Sequence, residues 1–93
     1  MLTLSEILED IHTLNQNLAV FEDKYGLLSE TFYSWYTQGQ EPEDESWMLD
    51  FVEWAGLYKI LLDRQADYHA VIQAATANSQ RGIEVLIKQV VAA

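Results

Sequence analysis

Ninety-three residues (10.7 kDa) make one small domain, and 49% apolar content with a single proline supplies a core and argues against global disorder. Fifteen acids against five bases give a formal charge of −10 and a pI near 4.2, a balance that repels phosphate backbones and argues against direct nucleic-acid binding. The chain has no cysteine, which excludes a disulfide scaffold and thiolate metal sites alike.

The first predicted element opens on a capping box, Thr3 with Glu6, flanked by a hydrophobic staple of Leu2 and Ile7. Apolar residues then fall at Leu4, Ile7, Ile11, Leu14, Leu18, Phe21 and Tyr25, in steps of 3, 4, 3, 4, 3 and 4. That is the seam of a heptad repeat. Gly26 suits the left-handed position that ends a helix. The pattern predicts a helix over residues 4–25, about 33 Å long.

A second start follows at Ser29, a favourable N-cap, with Leu28 and Tyr33 placed to staple it and Gly39 to stop it. This predicts a short helix over 30–38. It carries Phe32, Tyr33, Trp35 and Tyr36, four aromatics in five positions. Phe32 and one or two neighbours suffice to dock such a helix. Consecutive helical positions lie about 100° apart, so the four rings cannot share one face, and at least one must reach a second surface. Residues 39–46, Gly-Gln-Glu-Pro-Glu-Asp-Glu-Ser, read first as a solvated acidic turn in which Asp44 or Ser46 can cap the next helix.

The third element is the longest. Trp47, Phe51, Trp54, Tyr58, Leu61, Gln65, Tyr68, Ile72 and Ala75 form a second heptad seam with Gln65 as its polar member. Met48, Ala55, Leu62 and Val71 widen the stripe, and a helix over 45–77 is predicted. Gly56 within it either admits a close helix approach or is merely tolerated. The phase then breaks. A new stripe at Ile83, Leu86, Ile87 and Val90, with Asn78 or Ser79 as cap, predicts a helix over 80–91. The β-branched residues of 84–91 keep a strand as the alternative.

Together these elements predict a single all-α domain, residues 1–93, built as an antiparallel helical hairpin or bundle with one short helix and a C-terminal helix. Two wide apolar stripes in so short a chain need more cover than one copy supplies. Completion as a homodimer is the expected solution, with the C-terminal helix swapping onto the partner or capping the bundle. Gln65 is placed either to set register across that dimer or to reach water.

Little in the chain points to chemistry. Glu9 and His12 have the Glu-x-x-His spacing of di-iron bundles, but the seam through Ile7 and Ile11 puts both on the outer face. His69 has Ala66 three residues before it, so no second copy exists. Neither histidine sits in a serine–base motif, and the glycines at 26, 39, 56 and 82 are too scattered for a phosphate loop. Glu41, Glu43, Asp44 and Glu45 lack the ordered spacing and glycine of a calcium loop. The expectation is a non-enzyme with no cofactor and no metal. Apolar runs fall far short of a membrane span and no basic leader region is evident, which predicts a cytoplasmic protein.

Charge is distributed unevenly. Residues 1–78 hold fourteen acids and three bases, whereas 79–93 hold Arg81, Lys88 and Glu84. Asp50, Glu53, Asp63 and Asp67 lie off the long seam and are expected to form a negative surface. Such a surface keeps a protein soluble, and it also steers a basic partner.

Phe21-Glu22-Asp23-Lys24-Tyr25-Gly26, Ser29-Glu30-Thr31-Phe32-Tyr33, Gly39 and Asp50-Phe51-Val52-Glu53-Trp54 resemble a pattern in small acidic bacterial proteins, notably cyanobacterial ones. Some of those resemble the antitoxin halves of toxin–antitoxin pairs. The resemblance covers roughly residues 4–62 and implies a fold more than an activity. Two functional expectations follow. One is an interaction module, in its most concrete form an antitoxin that neutralises a basic, RNase-like toxin, with Tyr33, Trp35, Tyr36, Trp47, Asp50 and Glu53 as candidate contacts. The other is a self-assembling helical scaffold with no other partner.

Overall fold

The capping box forms as its spacing requires: Thr3 Oγ1 accepts from the Glu6 N–H, and Glu6 Oε1 accepts from the Thr3 N–H, each at 3.2 Å. From there α1 runs Leu4–Tyr25 in the computed structural model, which describes residues 2–77 and 81–92. Gly26 closes it at φ 75°, its N–H donating to the Glu22 carbonyl at 2.8 Å. Both ends of α1 coincide with the sequence expectation.

The second helix departs from it. α2 spans Ser29–Tyr36, with Leu28 rather than Ser29 at the N-cap, so the N-cap residue's own side chain supplies no cap. Ser29 is one of the buried residues, and its hydroxyl turns inward. At the other end the helix stops at Tyr36, short of Gly39, and the Thr37 hydroxyl at its C-cap donates to the Tyr33 carbonyl at 2.8 Å. Gly39, at φ 87°, turns the chain beyond it.

The long element also starts later than its pattern implies. Glu45–Trp47 form a 3₁₀ turn because the Asp44 carboxylate accepts from both the N–H and the hydroxyl of Ser46, at 2.9 and 2.6 Å. α3 then runs Met48–Thr76. Gly56 is not a close-approach glycine, since an added Cβ would meet nothing within 4 Å. α4 is a helix, Gly82–Val91, so the strand alternative does not hold. The two candidate caps, Asn78 and Ser79, lie outside the described residues. Gly82 sits so close to α3 that a Cβ on it would overlap the Ala75 carbonyl oxygen, so this glycine does set a joint.

Ion pairs define how α1 and α3 lie. Lys24 Nζ meets Asp50 Oδ2 at 2.6 Å, and Arg64 Nε approaches Asp10 Oδ2 at 3.4 Å. The end of α1 therefore sits beside the start of α3, and the chain directions oppose. All seven seam positions of α1 are buried or half-buried. The second seam is covered unevenly: on α3 Phe51, Trp54 and Leu61 are buried and Tyr68, Ile72 and Ala75 only half so, while Trp47 in the 3₁₀ turn is exposed.

The core thus gathers at one end, where Leu14, Leu18, Phe32, Phe51, Trp54 and Leu61 pack together under α2. The chain is elongated, 52 × 25 × 23 Å, with a radius of gyration of 17.0 Å. A compact domain of this length has a radius of about 12 Å. Among the described residues the molecule is all-helical, and no helix is long and apolar enough to cross a membrane.

Candidate functional site

The four rings of α2 separate as helical geometry demands. Phe32 points inward and stacks flat on Trp54, centroids 3.8 Å apart and planes 2° from parallel. Tyr36 stacks on Phe32 at 5.2 Å, while Tyr33 leans the other way against Tyr58 at 5.0 Å. Trp35 is left 40% exposed, edge-on to Phe51. Across from it Trp47, 42% exposed, packs against Tyr25 and Phe51.

Trp35 and Trp47 flank a largely apolar hollow of about 370 Å³ whose floor is Phe32, Phe51 and Trp54. Pro42 of the acidic turn lines it too. The same proline, with Glu41, Tyr36, Met48 and Val52, lines an adjoining hollow of about 340 Å³. Glu41, Glu43, Asp44 and Glu45 are all exposed, so an acidic turn runs alongside an aromatic recess. Of the six candidate contacts, Trp35 and Trp47 share the recess and Tyr36 borders the adjoining hollow. Tyr33 belongs to a different contact with Tyr58, and Glu53 is exposed on α3.

Asp50 has another occupation. Its Oδ2 accepts from Lys24 Nζ and from the Tyr25 hydroxyl, both at 2.6 Å. Those hydrogen bonds, Lys24's first, hold the Asp50 carboxyl below the usual carboxylate range and raise the Lys24 ammonium. Burial raises the Tyr25 hydroxyl, and its bond to Asp50 adds to that. Asp67 and Asp10 are likewise engaged, both by Arg64. The acidic face foreseen on α3 is therefore partly neutralised from within, and the free negative charge concentrates at the 41–45 turn.

The signs set a pH dependence. A lowered Asp50 stabilises the fold above its unfolded value near 4, and that contribution disappears as pH falls through the folded value. Raised Lys24 and Tyr25 contribute below pH 10 and lose their effect as pH climbs through their folded values. Between these limits the cluster is pH-independent. Thermal unfolding of Asp50→Asn should accordingly lose the Asp50 part of the acid limb and the Lys24 part of the alkaline limb, leaving the part of the Tyr25 effect that burial causes; an acid limb identical to that of the parent would refute the assignment.

A buried polar chain escaped sequence reasoning. Trp54 Nε1 donates to Ser29 Oγ at 2.9 Å, and Ser29 donates from both its hydroxyl and its N–H to Glu22 Oε2, each at 2.8 Å. Glu22 thereby serves as the cap of α2 across the turn from α1, with its charge at the positive end of the helix. Only the tryptophan at 54, mid-seam and carrying an N–H in need of an acceptor, hinted at it.

No family model, curated protein or solved structure matches this chain. Glu9 and His12 are both exposed, and His69, also exposed, contacts the Tyr68 ring edge at 5.5 Å. Among the described residues no three acids or histidines converge to hold a metal ion. The recess offers apolar surface, two exposed indoles and adjacent carboxylates. That combination is suited to holding a partner's side chains.

Proposed function

We propose that this chain is a non-catalytic, cytoplasmic protein-interaction module that receives a basic protein partner at the Trp35–Trp47 recess. The observation carrying this is the pairing of two half-exposed tryptophans over an apolar floor with the acidic turn beside them. Indoles in a recess act as anchors, and carboxylates around them steer a positive partner and reject nucleic acid. Tyr36 and the 41–45 turn extend the contact, whereas Asp50 serves to hold α1 to α3. Neutralisation of an RNase-like toxin is the most concrete form of this reading and rests on the resemblance to antitoxin-like proteins.

A tagged pull-down from host lysate at moderate salt tests it. One stoichiometric basic protein should be recovered, released faster as salt rises, and weakened about 30-fold or more by the Trp35→Ala, Trp47→Ala double variant. Recovery of the bait alone, or of a partner indifferent to both tryptophans, overturns the reading.

Self-association is a second reading, and a specific observation favours it. Sixteen large apolar side chains are exposed among the described residues against seven buried. A helical bundle completed by a second copy would cover part of that surface.

A further inference from the structure

The end of the molecule away from α2 is under-covered. α4 carries an apolar stripe at Ile83, Leu86, Ile87, Val90 and Val91, spaced for burial. Yet the stripe only lines an open groove of about 330 Å³ with Leu4, Leu8, Tyr68 and Ile72. Ile87 and Val90 remain exposed, Val90 by 69%. We propose that a second copy of this chain fills this groove, the two α4 helices packing antiparallel across a two-fold axis. This rests on the self-association reading above and names its surface.

Area supports a second copy. The chain exposes 6988 Å², whereas a folded monomer of this mass exposes about 5,500 Å². The surplus of about 1,500 Å² exceeds the roughly 800 Å² each partner contributes to a standard interface. The buried core lies at the α2 end, and five of the sixteen exposed large apolar side chains, Ile83, Val85, Ile87, Val90 and Val91, fall within the ten residues of α4.

Charge selects the same end. Two copies of a −10 chain repel, and they meet at lowest cost where the charge is least negative. α4 holds one acid, Glu84, and one base, Lys88, with Arg81 just before it. The acidic turn precedes Trp47, while the groove begins near Tyr68, about 30 Å further along α3. That spacing is several Debye lengths at physiological salt, so joining the α4 ends keeps the two acidic turns screened from each other.

The stripe is also self-complementary, as an isologous contact requires. About a dyad between residues 86 and 87, Ile83 faces Val90 of the second copy and Leu86 faces Ile87. The Trp35–Trp47 recess stays open at the far ends, so the dimer presents two recesses to partners.

Sedimentation equilibrium on the full chain tests this. The parent should be a dimer, Val90→Glu and Val90→Lys should each weaken it at least about tenfold with helical circular dichroism retained, and Trp35→Ala should leave it unchanged. A short bis-maleimide reagent should join two copies of Ile87→Cys and not of Glu43→Cys, because the chain has no other cysteine. A parent that stays monomeric overturns self-association and this surface together. A dimer that survives both Val90 variants, or that is joined through Glu43→Cys instead, overturns this surface alone and leaves the recess reading untouched.

Discussion

Replacing Trp54 with alanine will cost about 3–5 kcal/mol, a large part of the stability of a domain this size. Trp54 is 0% exposed and lies nearly parallel to Phe32, Phe21 and Tyr25, with Phe51 edge-on. Alanine would remove the indole and leave a cavity bordered by three helical elements that cannot all collapse into it. The same truncation at Trp35 or Trp47 should cost under about 1 kcal/mol, because each already sits more than a third in water. Urea unfolding followed by circular dichroism ranks the three. The protein concentration must be held constant, since any self-association adds to apparent stability. Equal losses at all three tryptophans would mean that the core is not centred on Trp54.

Ser29→Ala is expected to cost about 1–3 kcal/mol, through a route unlike the loss of an ordinary helix cap. The substitution strips the buried Trp54 Nε1 of its acceptor and removes one of the two donors to Glu22. The remaining donor, the residue-29 N–H, belongs to the backbone and keeps Glu22 over the start of α2. A double-mutant cycle with Trp54→Phe separates the accounts. If the hydroxyl serves Trp54, the two losses are non-additive by about 0.5–3 kcal/mol; a hydroxyl acting only as a cap gives additive losses.

Much of the helical skeleton was legible because its signals are local. The Thr3–Glu6 box and Gly26 act within one turn of the positions they define, so both ends of α1 could be read from spacing. Heptad steps marked the inward faces of α1 and α3, and side-chain direction follows from helix pitch alone. The same geometry required the α2 rings to separate, which is how Trp35 comes to lie outside while Phe32 lies within. Of the candidate site, Trp35, Trp47 and the 41–45 turn were recognisable by type, but their meeting at one recess was not.

What the sequence determined by itself was secondary structure, polarity and charge, since each depends on neighbours three or four residues apart. Tertiary structure alone decided which polar groups found partners far along the chain. Ser29 looks like a cap until Trp54, 25 residues on, claims its hydroxyl, and Asp50 looks like free surface charge until Lys24 and Tyr25 reach it. It also decided how far the stripes cover one another: the core fills beneath α2, while the α4 stripe stays open. Periodicity says that a face is apolar. Only the crossing of whole helices determines whether something within the same chain lies against it.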